Sequence, residues 1–163
     1  MCKTVYLTSK RFSKPADRFK KALAAELRRR GIEVITDYAF DIFNCLRRHK
    51  TYGIAIALDF YRDGGSGSGM KINKNCNSIA RDFAFNLSDS LDVLTPGIGW
   101  RRFEYVDSYD PDWYKFYNKV SATTKVVLYL CTLNNRPEYD KFVSAEDAIV
   151  SGFADEVFEV FTI

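Results

Sequence analysis

Asp59 closes a run from Gly53 to Tyr61, GIAIALDFY, in which small and apolar residues follow one another without polar alternation. Such a run reads as a strand covered on both faces, and a carboxylate at its C-terminal end stands where open α/β sheets place their sites. Buried there, a carboxylate can do acid–base work or, with further oxygen ligands, hold a cation. Asp107, Asp110 and Asp112 are the acids that could join it in a hydrolytic pair or a divalent-cation site, against the ordinary use of aspartates in turns and helix starts. His49 is the single histidine and sits among Arg47, Arg48 and Lys50, so a Ser-His-Asp triad would hang on that one residue. The four cysteines, Cys2, Cys45, Cys76 and Cys131, lack the two-residue spacing of zinc ribbons and redox motifs, and read as free, mostly buried thiols. GGSGSG, residues 64–69, follows the strand but leads into no helix and carries no lysine where a phosphate cradle needs one.

Aromatic residues are the other resource. Trp100, Phe103, Tyr105, Tyr109, Trp113, Tyr114, Phe116 and Tyr117 crowd together with Arg101 and Arg102 among them. Trp113, Phe116 and Tyr117 fall at helical spacing and read as core. Tyr and Trp beside Arg are also the residue types that anchor interfaces or stack on sugars and bases, so a ligand or partner surface stays open here.

The elements that must position these residues alternate between strand and helix. Lys3 to Thr8 reads as a first strand. A helix follows from Pro15, with Phe19, Ala22, Leu23 and Leu27 on one face and Gly31 after three arginines, and then a strand from Ile32 to Thr36. Asp41 to Lys50 has helical spacing and leads to the central strand. GGSGSG reads as a flexible native loop before a strand from Met70 to Asn73; the alternative is an engineered linker, with Met70 as an old start codon. Ile79, Phe83, Leu87 and Leu91 mark a helix over 77–91, broken by Pro96-Gly97. Trp100 to Val106 reads as a strand, Asp110 to Val120 as a helix, Lys125 to Cys131 as a buried strand and Asn134 to Pro137 as a polar loop. Ser144-Ala145-Glu146-Asp147 has the pattern of a capping box opening a last helix, whose apolar face carries Ile149, Phe153, Val157, Val160 and Phe161.

These 163 residues predict one domain, 1–163, and a three-layer α/β sandwich with a mostly parallel central sheet. With 47% apolar and 28% charged residues the chain reads as globular. No run approaches the ~20 apolar residues of a membrane span, and the N-terminus lacks the apolar core of a signal peptide. The expectation is a cytoplasmic protein without membrane contact, although release by lysis would leave no signal either. A net charge of +3 gives no footing for a nucleic-acid polymer as partner. Arg28-Arg29-Arg30 and Arg47-Arg48-His49-Lys50 read as solvated helix ends placed against the helix dipole.

The order of the elements, with several local phrases, resembles the zinc-dependent N-acetylmuramoyl-L-alanine amidases of the type 3 family, cell-wall hydrolases common in bacteria and their phages. Ala22 to Ile35 is similar to that family's helix, glycine and strand. Ala57-Leu58-Asp59-Phe60-Tyr61, GGSGSG and Met70-Lys71-Ile72 stand where it has a Ser-Ile-His-hydrophobic-Asn phrase, a Gly-rich loop and a short strand. Ser78-Ile79-Ala80 matches its helix opening, and Val126 to Val150, with Asn134-Asn135 and Asp140, follows its last strand, loop and helix. The resemblance covers nearly the whole chain and implies the amidase-like, phosphorylase/hydrolase-like fold.

In that family two histidines and a glutamate hold zinc and leave a position for water, whose pKa the metal lowers towards ~7. Here Ser9 and Lys10 stand at the first ligand position, and an ammonium must lose a proton before it can bind a metal. Residues 12–16 supply no acid at the second position, Asp17 coming several residues late. Asp59 takes the third. The catalytic glutamate falls at Tyr129 or Leu130, neither of which does its acid–base work.

The sequence therefore predicts a catalytically inactive relative, of phage or bacterial origin, that uses the fold as a binding module. Its cleft would be lined by Ser9, Lys10, Asp59, Tyr129 and Arg101 or Arg102, with no cofactor and no metal. The expected partner is a host protein or a small molecule, anionic or sugar-containing, with Lys and Arg favouring negative charge. One alternative is an active peptidoglycan amidase with a rebuilt site, which would need zinc. Another is a phage factor that sequesters a host signalling nucleotide or blocks a host protein.

Overall fold

A computed structural model describes residues 2–10, 12–38, 51–94, 100–107, 110 and 112–162, with backbone alone at 90, 93, 94 and 100–103. The order is β1 (Thr4–Ser9), α1 (Lys14–Arg29), β2 (Glu33–Tyr38), β3 (Tyr52–Tyr61), β4 (Ser68–Asn73), α2 (Ser78–Leu94), β5 (Trp100–Val106), α3 (Tyr114–Lys119), β6 (Ala122–Thr132) and α4 (Arg136–Thr162). The helix expected over 41–50 and the break at Pro96-Gly97 lie outside the described residues, as do Cys45, His49 and Tyr109.

The six strands form one sheet in the order β2-β1-β3-β6-β4-β5. The β2, β1, β3 and β6 strands run parallel, β4 is antiparallel to β6, and β5 is parallel to β4. β3 lies at the centre with every residue but Tyr61 buried, as its unbroken apolar run requires. Its side chains alternate between two cores. Ile54, Ile56, Leu58 and Phe60 meet apolar residues of α1, α2 and α4, among them Phe19, Phe83, Phe142 and Phe153. On the opposite face the small Ala55 and Ala57 make room for Tyr6, Tyr52, Trp113, Phe116, Tyr117 and Tyr129. Helices thus cover both faces of a mostly parallel sheet.

Local sequence explains the element ends. α1 closes with the Ile32 N–H donating to the Leu27 carbonyl at 3.0 Å and the Gly31 N–H to that of Arg28 at 2.9 Å. Gly31 takes φ 82°, the left-handed conformation that this closure needs and glycine adopts freely. The three preceding arginines are engaged within the molecule: Arg29 and Arg30 bond Glu26, Arg30 also reaches Asp155, and Arg28 bonds the Val34 carbonyl.

Two expectations are corrected. α4 begins at Arg136 and not at Ser144, whose hydroxyl donates back to the Asp140 carbonyl at 2.9 Å from within the helix. Asn135 is the cap, its side-chain oxygen accepting the Glu138 N–H at 3.3 Å, and Pro137 is tolerated because first-turn N–H groups have no helical partner. The free cysteines are also less buried than expected: Cys131 is buried, Cys76 half-buried and Cys2 exposed.

The Gly/Ser loop has a definite path. β3 and β4 flank β6 on either side, so the chain between them crosses the C-terminal end of β6. There the Ser68 hydroxyl donates to the Leu130 carbonyl at 2.6 Å, the Thr132 hydroxyl to the Gly67 carbonyl at 3.2 Å, and the Gly67 N–H to Glu138 at 2.5 Å. Gly67, at φ 94°, occupies backbone space that side chains disfavour. No helix among the described residues is long and apolar enough to cross a membrane.

Candidate functional site

The C-terminal ends of β1, β3 and β6 lie side by side. Ser9 pairs with Leu58, which sets the next residue, Lys10, level with Asp59; Asp59 pairs with Tyr129, and Tyr129 with Gly69 of β4. Gly69 pairs in turn with Arg102 of β5, where a register shift leaves Arg101 unmatched. Lys10, Asp59, Tyr129, Gly69 and Arg102 therefore form one row across five strands. The side chains of Arg101 and Arg102 lie outside the described set.

Three of the expected site residues meet at the α3 face of this row. The Lys10 ammonium lies 4.0 Å from Asp59 Oδ2 and 4.9 Å from the centre of the Trp113 ring. Trp113 Nε1 donates to the Tyr129 hydroxyl at 2.9 Å, and the Tyr129 ring stacks on Tyr61 with centroids 4.4 Å apart. Gly69 leaves the room that the Tyr61 ring occupies, since a β-carbon there would overlap the Tyr61 hydroxyl. Ser9 is not brought to this group. It shares β1 parity with Val5 and Leu7, which face the α1–α4 core, and its hydroxyl is buried there without a hydrogen-bond partner among the described residues.

Lys71 and Trp113 join the site without having been expected there. Lys71 bonds Asp110 Oδ2 at 3.0 Å, lies 3.6 Å from Asp112 and sits 5.7 Å from the Tyr129 ring centre. A lysine between Met70 and Ile72 in a buried strand was the available sign, because its ammonium must find a partner on the opposite face. Asp110 does serve a turn, its other oxygen accepting the Asp112 and Trp113 N–H groups, each at 3.1 Å.

Burial sets the site's acid–base behaviour. It raises the Asp59 carboxyl above the ordinary range, opposed by the Phe60 N–H bonded to Oδ1 at 2.8 Å and by the charges of Lys10 and Arg62. Burial also pushes the Tyr129 phenol up to about 12, against the Trp113 hydrogen bond and Lys71. At neutral pH Tyr129 is therefore a hydrogen-bond donor and not a base. Burial lowers the Lys71 ammonium, but Asp110 and the surrounding negative groups outweigh it and the net shift is upward.

These side chains do not fit a zinc ion. Lys10 presents an ammonium, Asp59 a single carboxylate, and Asp17 is bonded to Lys20 and Lys21 on its own helix at 3.2 and 2.9 Å. Among the described residues no three His, Cys, Asp or Glu side chains are grouped to hold a metal. Among the described side chains two ammonium groups, Lys10 and Lys71, face three carboxylates, Asp59, Asp110 and Asp112, and the charge of Arg62 also acts on Asp59. A pocket of about 310 Å³ opens at the other end of β6, beside Asn73, Cys76 and Lys125. There the Lys125 ammonium is bonded to the Tyr117 and Val120 carbonyls and closes the α3 turn.

The sequence matches no protein-family model and no curated protein. Solved structures do match over the whole length. An N-acetylmuramoyl-L-alanine amidase from Clostridium difficile 630 superposes with a TM-score of 0.75 at 10% identity, covering 99% of this chain and 97% of that one. The catalytic domain of CwlV, an N-acetylmuramoyl-L-alanine amidase from Bacillus (Paenibacillus) polymyxa, gives 0.69 at 14% identity, covering 98% and 99%. The amidase AmiC2 of Nostoc punctiforme gives 0.67 at 10% identity, covering 99% and 98%. The chain has the fold of these amidases.

Proposed function

We propose that the chain is a binding module on an amidase fold, its ligand or partner taken by the cleft at the row of Lys10, Asp59 and Tyr129, without zinc-dependent hydrolysis. The observation that carries this reading is the Lys10–Asp59 pair at 4.0 Å. An ammonium and a carboxylate stand where the family resemblance expects two zinc ligands, and Tyr129 or Leu130 stands where it expects a base. Two measurements test the proposal together: metal content of the chain purified without chelator, and loss of turbidity when it is added to cell walls. The expected results are no stoichiometric zinc and no clearing.

A second reading, an active amidase with a rebuilt site, draws on the amidases that share the fold. It requires about one bound zinc per chain and clearing of the walls, and those results would replace the first reading. A phage factor that sequesters a host nucleotide is a narrower form of the binding role. Mass spectrometry of ligand released by denaturing the purified chain would identify it.

A further inference from the structure

The pocket at the far end of β6 is separate from the Lys10 row. Lys125 pairs with Ala55 and Tyr129 with Asp59, so the two places lie four residues, about 13 Å, apart along the strand. Its volume of about 310 Å³ lies between the β4–α2 connection, with Asn73, Asn75, Cys76 and Asn77, and the start of β6, with Thr123 and Lys125. That is enough for a small organic molecule. The two sides are already tied together: Asn77 Nδ2 donates to the Thr123 carbonyl at 3.4 Å, and Asn77 Oδ1 accepts the Ala80 N–H at 2.8 Å. Asn73 Oδ1 accepts the Asn75 N–H at 2.8 Å and holds the turn.

Lys125 is the one charged side chain in the described lining. Its ammonium donates to the Tyr117 and Val120 carbonyls at 2.9 and 3.0 Å, which use two of its three N–H groups and bring no counter-charge. Burial alone lowers its pKa, with no neighbouring charge to offset it. The other lysines that are buried or half-buried each have an aspartate: Lys10 has Asp59 at 4.0 Å, Lys20 has Asp17 at 3.2 Å and Lys71 has Asp110 at 3.0 Å. Lys125, with none among the described residues, is the one that lines a pocket. Lys74 and Asp107, exposed beside the Asn73–Val106 pair, carry opposite charges. Arg102 pairs with Gly69 at the other end of β4, and any charge that Arg47 to Lys50 bring from the undescribed segment before β3 has the sign of Lys125.

From this contrast we infer that the pocket takes a small organic molecule through its oxyanion group, a carboxylate or phosphate, which supplies the counter-charge that Lys125 lacks. The third N–H of the ammonium is the charge-assisted donor. The Asn75 side-chain amide and the Thr123 hydroxyl line the same pocket, have no partner among the described residues, and can donate to the remaining oxygens. Ala80 and Ala122 give apolar surface for the body of the molecule. This second site does not depend on the role proposed for the Lys10 row.

The test is an NMR titration of the full chain, at physiological salt, with benzoate, phenyl phosphate and the neutral benzyl alcohol. At least one anion should shift the amide signals of Asn75, Asn77, Thr123 and Lys125 and bind about tenfold or more tightly than benzyl alcohol, the size of effect one close charge pair produces. The same anion should raise the pKa of the Lys125 ammonium, followed by its own Nζ signal, because an opposite charge favours the protonated form. Lys125→Met should remove the preference for the anions. Should loss of the Tyr117 and Val120 bonds unfold that variant, Asn75→Ala, at an exposed turn, should weaken the anion about fivefold with the fold intact. Benzyl alcohol binding as tightly as both anions, an anion that leaves the Lys125 pKa unmoved, or binding unchanged in Lys125→Met would overturn the inference. So would the failure of all three probes to shift those amides. Shifts confined to Lys10, Phe60 and Tyr129 would place the anion in the row and overturn the inference as well.

Discussion

Glu138→Gln should destabilise the chain by about 3 kcal/mol, although it changes one atom in the first turn of α4. Glu138 is 6% exposed and has no cationic partner at ion-pair distance among the described residues. Its two oxygens accept different backbone donors, the Gly67 N–H at 2.5 Å and the Thr132 N–H at 2.6 Å. One carboxylate therefore fastens the β3–β4 crossing to the end of β6. A glutamine has only one oxygen to offer, so whichever way its amide turns, an NH2 group meets one of the two N–H groups. The loss is one charge-assisted bond, at about 1.5–3 kcal/mol, together with part of the penalty for a buried unsatisfied donor, at about 1–3 kcal/mol. For a chain of this length about 3 kcal/mol corresponds to a fall in Tm of roughly 6–12 °C. Urea unfolding gives the energy, and amide hydrogen exchange locates it: protection at Gly67 and Thr132 should fall before that of β3. A variant within about 0.5 kcal/mol of the parent, or one destabilised with protection at those two amides unchanged, would refute the reasoning.

Asp59→Asn tests the buried carboxyl. Because burial raises its native pKa, the native chain holds this proton more tightly than the unfolded chain, so its contribution is most favourable in acid and is lost as pH rises through the raised value. The stability of Asp59→Asn relative to the parent should therefore grow from acid to neutral pH in paired thermal melts; a change in the other direction would contradict the assignment. Gly69→Ala places a β-carbon against the Tyr61 hydroxyl and ring, and should cost about 1–3 kcal/mol and disturb the Tyr61–Tyr129 stack, seen as altered near-ultraviolet dichroism. Asn135→Ala should cost about 1 kcal/mol as loss of a helix cap, whereas Ser144→Ala, within the helix, should stay within about 0.5 kcal/mol. The opposite order would restore Ser144 as the helix start.

What could be read from the sequence was what is local and periodic. β3 was legible because ten residues without polar alternation leave little choice but a central strand, and α1 because its apolar spacing ends at Gly31. The start of α4 was misread because two valid local patterns compete over 135–146. The outcome is set by tertiary contacts, since Glu138 and Phe142 are buried only if the helix begins at Arg136. Asp59 and Tyr129 could be placed from strand ends and the family phrases. Ser9 could not be separated from Lys10 without strand register, because one residue reverses the face. Lys71 with Asp110 and Trp113 with Tyr129 are pairs 39 and 16 residues apart; the parity of Met70-Lys71-Ile72 was a sign of the first, and the second had none.

The composition of the row favours a retained use over a merely repacked core. At Ala55 and Ala57, on the same face of β3, small apolar residues are packed beneath aromatic rings with no polar atom to satisfy. If the end of the strand had only to be filled, the same solution was available at position 59. A carboxylate stands there instead, 4% exposed and raised in pKa by its burial, with an ammonium near it but outside hydrogen-bond length. Burying such a charge opposes folding unless it is partnered, and here Oδ1 accepts the Phe60 N–H while Oδ2 has the Lys10 ammonium at 4.0 Å. Tyr129 packs its ring as part of the same core, and its hydroxyl accepts the Trp113 indole N–H. A raised buried carboxyl beside an ammonium is the kind of perturbed group that gathers at functional sites, and this pair, more than the fold shared with the amidases, is what supports the binding role proposed for the row.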